Sequence, residues 1–199
     1  MTRALAIIRE EHRSLSAVTR SLGFLAREAH DRGRAPDYEL FTVILDYIEG
    51  FSDRFHHPKE DEYLFSTLRR RCPEANEALD VLERDHARGE ELIRDLRYLL
   101  SRCRIGGVAA VDALAAAVVE YVDFHWRHMR LEEDVVMPLA EARLTEEDWQ
   151  PIDAAFQAND DPLFGARPKE EFRRLLELIV NLAPPPVGVG PARGAPRSG

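Results

Sequence analysis

Apolar residues recur every three or four positions along most of this chain. Leu5, Ile8, His12, Leu15, Thr19 and Leu22 trace one buried face of a first helix. The run Arg32-Gly33-Arg34-Ala35-Pro36 breaks that pattern, and Asp37 can cap a second helix. Phe41, Ile44, Leu45, Ile48 and Phe55 carry this helix toward Arg71, weakened at Gly50 and kinked at Pro58, which donates no backbone hydrogen bond. Cys72-Pro73 ends it, and Pro73 suits the first turn of the next helix. The third stripe is Leu79, Leu82, His86, Gly89, Ile93, Leu96 and Leu100, closed by Ile105-Gly106-Gly107. The fourth is Val111, Leu114, Val118, Tyr121, His125, His128, Glu132, Val135 and Leu139. Unbroken three-four spacing keeps a seam on partner helices, and short connections make neighbours antiparallel. The prediction is an all-α, up-down-up-down four-helix bundle over residues 1–143.

Beyond Arg143 the pattern shortens. Thr145 with Glu146-Glu147-Asp148 reads as a capped helix start, and a helix of about ten residues leads to the polar turn Asn159-Asp160-Asp161-Pro162. A further amphipathic helix is expected from Lys169 to Leu182, with Phe172, Leu175, Leu176 and Ile179 apolar. Residues 144–183 thus read as a helical extension packed on the bundle. Residues 184–199, rich in Pro, Gly, Arg and Ser, read as a disordered tail.

Charge and composition narrow the function. The 199 residues carry 27 Lys+Arg against 36 Asp+Glu, a net charge of −9 with no basic cluster. That balance argues against nucleic acid and anionic membranes as partners. The longest apolar stretch, residues 108–119, falls short of the roughly 18 residues that span a bilayer. The opening segment lacks the apolar core of a signal peptide, so a cytoplasmic setting is expected. Cys72 and Cys103 bracket the third helix, roughly 45 Å apart, and read as free thiols in a reducing compartment. No nucleophile motif or phosphate-binding glycine loop is present.

The informative residues are polar ones where a seam should hold leucine: His12, His86, His125, His128 and Glu132, with His56 at the edge of its stripe and Glu60 one turn later. Buried ionisable groups are costly unless paired or bound to a metal. Counting residues from the connections places His12, His56, His86 and His128 at one level, roughly 26–30 Å from the same end of the bundle. Two helices add a carboxylate one turn on, as His56-x-x-x-Glu60 and His128-x-x-x-Glu132, a spacing that serves one ion or two adjacent ions. Zinc would want a smaller tetrahedral set and calcium oxygen alone, so mixed imidazole and carboxylate points to a di-iron or di-manganese centre.

The segments Glu11-His12, Phe55-His56-His57-Pro58-Lys59-Glu60-Asp61-Glu62, Asp85-His86-Ala87-Arg88-Gly89 and His125-Trp126-Arg127-His128-Met129-Arg130-Leu131-Glu132-Glu133 resemble the hemerythrin-like (HHE cation-binding) domain, bacterial-type, over roughly residues 3–142. The resemblance implies that His12, His56, Glu60, His86, His128 and Glu132 ligate two non-haem Fe ions, oxo- or hydroxo-bridged, with Glu60 and Glu132 as the bridging carboxylates. It also implies a small partner such as O2, NO or peroxide. The oxygen carriers of that family have His-x-x-x-His on the third helix, where this chain has Glu90, and an Asp five residues past the fourth-helix His, where this chain has Glu132. Fewer imidazoles and more carboxylates favour ferric iron and shift the implied role toward sensing, iron handling or peroxide chemistry. Mn or Zn remains open as the metal. A peroxide-consuming or iron-oxidising enzyme and a metal-free helical interaction module remain open as alternative functions.

Other polar residues point less sharply. His57 and Asp61 lie about 100° round an α-helix from His56 and Glu60, which favours a solvated or supporting place over ligation. His125 suits pocket lining better than ligation, and Glu90 is open as ligand, supporting acceptor or surface charge. Gly89 either leaves a gap for a small ligand or simply lets helices approach. Glu10-Glu11 and Glu132-Glu133 each place one member outward. Tyr63 and Tyr121 are open as structural core or as hydrogen-bond partners of the site, and His30 reads as surface.

Overall fold

Six helices form where the three-four stripes predict them, in a computed structural model that describes residues 2–158, 161–162 and 173–182. Helix α1 is Arg3–Asp31. It ends where Gly33 takes φ 55° and its N–H donates to the His30 carbonyl at 3.0 Å, a left-handed turn that suits glycine. Helix α2 spans 38–71 and opens on Asp37, whose carboxylate accepts from the Leu40 N–H at 3.0 Å. Helix α3 is Asn76–Arg102, reached through a 3-10 turn Pro73–Ala75. Helix α4 spans 107–143, beginning at Gly107. Helix α5, Glu146–Gln157, carries the expected cap: Thr145 and Asp148 bond reciprocally as a capping box. Helix α6 is Arg173–Leu182. Among the described residues there is no strand, and no helix is long and apolar enough to cross a membrane. The expected tail 184–199, residues 169–172 of the expected last helix and Asn159-Asp160 lie outside the described residues.

Two of the four long helices are not α-helical throughout. In α2 the segments Ile48–His56 and Glu60–Phe65 are π-helix, flanking a short α turn His57–Lys59 that contains Pro58. In α4 the segment Glu132–Val136 is π-helix and runs directly into Met137-Pro138. A proline interrupts the α ladder in any case, and wider i→i+5 turns absorb the break. The weak points expected at Gly50 and Pro58 therefore lie in or between wide turns.

Helix α1 packs along α4, α4 along α3, and α2 against α1 and α3, closing a four-membered ring of neighbours. Apolar burial is split into two clusters. One gathers Leu15, Leu22, Ile44, Leu45, Phe51, Ile93, Leu96, Leu114 and Val118. The other gathers Leu5, Ile8, Leu64, Phe65, Leu68, Leu79, Leu82, Val136 and Met137. Along each long helix the residues between these clusters are polar. Helix α6 adds Leu175 and Ile179 to the first cluster, and α5 adds Trp149, Ile152 and Phe156 to the second. Helix α5 also completes the start of α1, because Asp153 accepts the Ala4 N–H at 2.7 Å. Cys72 and Cys103 are free thiols, each buried.

Candidate metal centre

The layer between the apolar clusters is built from Glu11 and His12 on α1, Ser52, His56, His57 and Glu60 on α2, His86 on α3, and His125, His128 and Glu132 on α4, all buried. The histidines do gather at one level. The His12 and His56 rings lie 5.2 Å apart between centroids, and those of His86 and His128 lie 4.8 Å apart. Their donor atoms form two groups, His12/His56/Glu60 and His57/Glu60/His86/His128, in each of which one ligand atom per residue lies within 4.8 Å of the others.

Glu60 belongs to both groups and faces each with a different oxygen. Its Oε1 lies 3.3 Å from His56 Nε2 and 3.9 Å from His12 Nε2, while its Oε2 lies 3.6 Å from His86 Nε2. Glu132 does the same, with Oε2 at 3.2 Å from His12 Nε2 and Oε1 at 3.2 Å from His128 Nε2 and 3.9 Å from His86 Nε2. Both oxygens of both carboxylates, and the Nε2 atoms of His12, His86 and His128, are buried at distances or angles that make no hydrogen bond. Burial without hydrogen bonding is expensive for carboxylates, and a shared cation is the ordinary remedy. The donor set therefore fits a metal: imidazole nitrogens and carboxylate oxygens converge with their other hydrogen bonds already arranged.

That arrangement is made by a second set of acids, running round the bundle in neighbour order. Glu11 on α1 accepts from His56 Nδ1 on α2 at 2.7 Å. Asp61 on α2 accepts from His86 Nδ1 on α3 at 2.9 Å. Asp85 on α3 faces His128 Nδ1 on α4 at a looser 3.7 Å. Glu133 on α4 accepts from His12 Nδ1 on α1 at 2.8 Å, closing the circuit. An acid on Nδ1 fixes the tautomer that leaves Nε2 free as a donor. His57 is held otherwise, with Nε2 3.1 Å from Ser52 Oγ and Nδ1 3.5 Å from Asp53 Oδ1.

The protonation of the metal-free centre results from these contacts. Burial opposes the charge on His12, yet Glu132, Glu133 and Glu60 outweigh it and raise its pKa well above the usual value. His86 is likewise raised to about 10 against burial, by Asp61, Glu132 and Glu60, and His128 to about 9, by Glu132 and Asp85. Burial would raise Glu132, but His128, His12 and His86 overcome it and hold the carboxyl well below its normal range. His57 moves the other way, lowered well below the usual value by burial and then by the charges of His86, His128 and His56. Without a cation, protons on the imidazoles balance the central carboxylates.

The HHE cation-binding domain of hemerythrin matches residues 3–140 of this chain. The chain belongs to that family. The matched span covers all of the bundle but the last three residues of α4, and every residue of the polar layer. No curated protein and no solved structure matches the chain.

The structure brings His12, His56, Glu60, His86, His128 and Glu132 together, corrects the expectation for His57 and decides two readings left open beside them. His57 is not solvated. It is 8% exposed, stacks on His86 at 4.2 Å between centroids, and belongs to the second donor group. The reason is the π segment Ile48–His56: a helix closed at i+5 turns less per residue, and over nine residues the face shifts until His56 and His57 both point inward. Glu90 is exposed and pairs with Arg94 at 3.8 Å, so it is not part of the cluster. At Gly89 a Cβ would stand 3.6 Å from the Phe124 ring, which favours close helix packing over a gap.

Sequence reasoning allows Asp61 a supporting place, which the structure gives it, and misses the other outer acids, Glu11, Asp85 and Glu133. Glu11, Asp61, Asp85 and Glu133 each stand next in sequence to a ligand candidate on their own helix, yet each serves the histidine of the next helix. That adjacency is the available signal. His125 is buried but outside both donor groups. Tyr121 is buried with its ring edge-on to His125 at 5.7 Å, Tyr63 is half-buried, and exposed His30 bonds Asp112 at 2.9 Å.

Proposed function

We propose that this bundle holds two iron ions and binds a small ligand, O2, peroxide or NO, at the pair. His12 and His56 would hold one ion, and His57, His86 and His128 the other, with Glu60 and Glu132 reaching both. The observation that carries this reading is that each of the two carboxylates turns one oxygen to each donor group. A single-ion site gives no reason for two carboxylates to span two imidazole groups. Zinc in a tetrahedral set would leave several of these donors unused. Imidazole together with carboxylate suits iron or manganese.

When bound, an iron pair supplies reversible oxidation-state change and positions open to exchangeable ligands. The chain's own residues do the rest. Acids hydrogen-bonded to Nδ1 hold the His12, His56 and His86 rings in orientation before any metal arrives, and Asp85 faces the fourth ring, His128, at 3.7 Å. The two apolar clusters exclude water above and below the layer. His57 returns a third imidazole to the group that lacks one at position 90, so the ferric bias argued from position 90 weakens and ligand binding or sensing gains.

Metal analysis and an ultraviolet-visible spectrum of iron-loaded protein, with and without oxygen and azide, test this. About two irons per chain with ligand-sensitive absorption is expected. Fewer than one metal per chain after iron supplementation, or a featureless spectrum with stoichiometric zinc, overturns it.

A further inference from the structure

His125 lies in the centre without belonging to it. It stands on the α4 face that carries His128 and Glu132, three and seven residues before them. Its ring is 3% exposed, edge-on to His128 at 6.2 Å between centroids. Both ring nitrogens are buried without a hydrogen-bond partner. The His12, His86 and His128 rings also leave Nε2 unpartnered, but those nitrogens face Glu60 or Glu132 within 3.2–3.9 Å, and His125 has no such carboxylate. Leucine would satisfy the seam at this position at no polar cost, so an imidazole here asks for a partner that the chain does not provide.

The surroundings say where that partner sits. The ring meets His128, a member of the second donor group, edge-on, one helical turn before it on α4. Yet it stays outside the 4.8 Å circles of ligand atoms, too far to share an ion with them. Buried and with no hydrogen-bond partner on either nitrogen, the ring in its neutral form offers one N–H donor and one acceptor. Tyr121 closes the side toward the first apolar cluster. A polar group at that distance reaches what the ions take up, not the ions.

We infer that His125 is the positioning residue for the exogenous ligand, hydrogen-bonding a small anion or diatomic molecule held at the metal pair. This rests on the two-iron reading above. An N–H donor at this place favours ligands whose outer atom carries negative charge and accepts strongly, such as azide, peroxide or reduced oxygen species, over carbon monoxide, whose outer oxygen is a weak acceptor.

The test uses the full-length, iron-loaded protein with azide as the probe, comparing wild type, His125→Leu and His125→Gln. Iron content comes first: iron below one per chain in wild type fails the two-iron reading, not this inference. With wild type loaded, the expected result is normal iron in both variants and azide binding weakened at least about fivefold in His125→Leu, the loss of one neutral hydrogen bond. Rescue is expected in His125→Gln. The azide stretch should shift between H2O and D2O in wild type and not in His125→Leu, a signature that a merely structural histidine would not give. Unchanged azide affinity and no isotope shift in the loaded wild type overturn the inference. So does loss of iron in His125→Leu and in His125→Gln, which would make His125 part of the donor set.

Discussion

Two sets of carboxylates occupy the same slab of this bundle and meet the same histidines from opposite sides. The inner pair, Glu60 and Glu132, faces Nε2 atoms and makes no hydrogen bond. The outer acids face Nδ1 atoms, and Glu11, Asp61 and Glu133 are hydrogen-bonded at 2.7–2.9 Å. The residue type is shared, and the ring nitrogen decides the role. An acid on an N–H is satisfied and fixes orientation, whereas an acid on a lone pair needs a cation or a proton between them. On the proposed reading the inner pair would ligate and the outer acids would preorganise the rings.

Removing an inner acid should do the most damage. Glu60→Ala withdraws a donor from both groups, and metal content should fall from about two ions per chain to below one by elemental analysis. Retention of both ions would erase the distinction between inner and outer acids. Outer acids should matter less: Glu11→Ala, Asp61→Ala and Glu133→Ala should each weaken metal affinity about 10–100-fold in competition with a chelator. Asp85→Ala should be the mildest of the four, because its contact to His128 is 3.7 Å.

The pH dependence sharpens the same contrast. In the metal-free protein His86 and His128 have pKa values of about 10 and about 9, above the ordinary value near 6.5. The stability given by these ion pairs is full below about 6.5 and is lost as pH rises through about 9–10. Metal-free protein should therefore unfold at progressively lower temperature over that range, monitored by circular dichroism, while loaded protein changes less. Metal uptake near pH 7 should release protons, detectable with an indicator dye. Uptake without proton release would show that the imidazoles are not charged in the metal-free state.

The smallest effect lies outside the layer. Asp148 closes the α5 capping box and accepts from Arg71 Nε, at 2.9 and 3.2 Å to its two oxygens, and from Arg71 Nη2 at 3.0 Å. Asp148→Ala should cost about 1 kcal/mol in the thermal unfolding of loaded protein, with metal content unchanged. The Arg71 guanidinium, then the Thr145 N–H, lowers the Asp148 pKa to about 2. The difference between wild type and variant should hold above about pH 4 and disappear as pH falls through about 2. A metal-content change in this variant would tie α5 to the site more closely than its packing on α1 and α2 suggests.

Much of the centre is legible in the sequence. The heights of His12, His56, His86 and His128 agree by counting, and the two His-x-x-x-Glu steps name Glu60 and Glu132. Residue spacing misplaces His57 because it assumes α-helical rotation, whereas the nine residues before His57 wind as π-helix. Of the Glu10-Glu11 pair one member points outward as expected, but the spacing does not say that the buried one, Glu11 at 5% exposure, bonds His56. Nothing in a one-helix pattern says which neighbour a flanking acid will reach.

The chain alone determined the helices, their order and the level at which the histidines gather. Those depend on local periodicity and a fixed rise per residue, which need no knowledge of the partner helix. The tertiary structure decided which nitrogen of each ring meets which acid, that His57 turns inward, and that His125 is left with no partner of its own. Those depend on the angle between neighbouring helices and on the wide turns beside Pro58 and Pro138, which shift a face by amounts that residue spacing does not record.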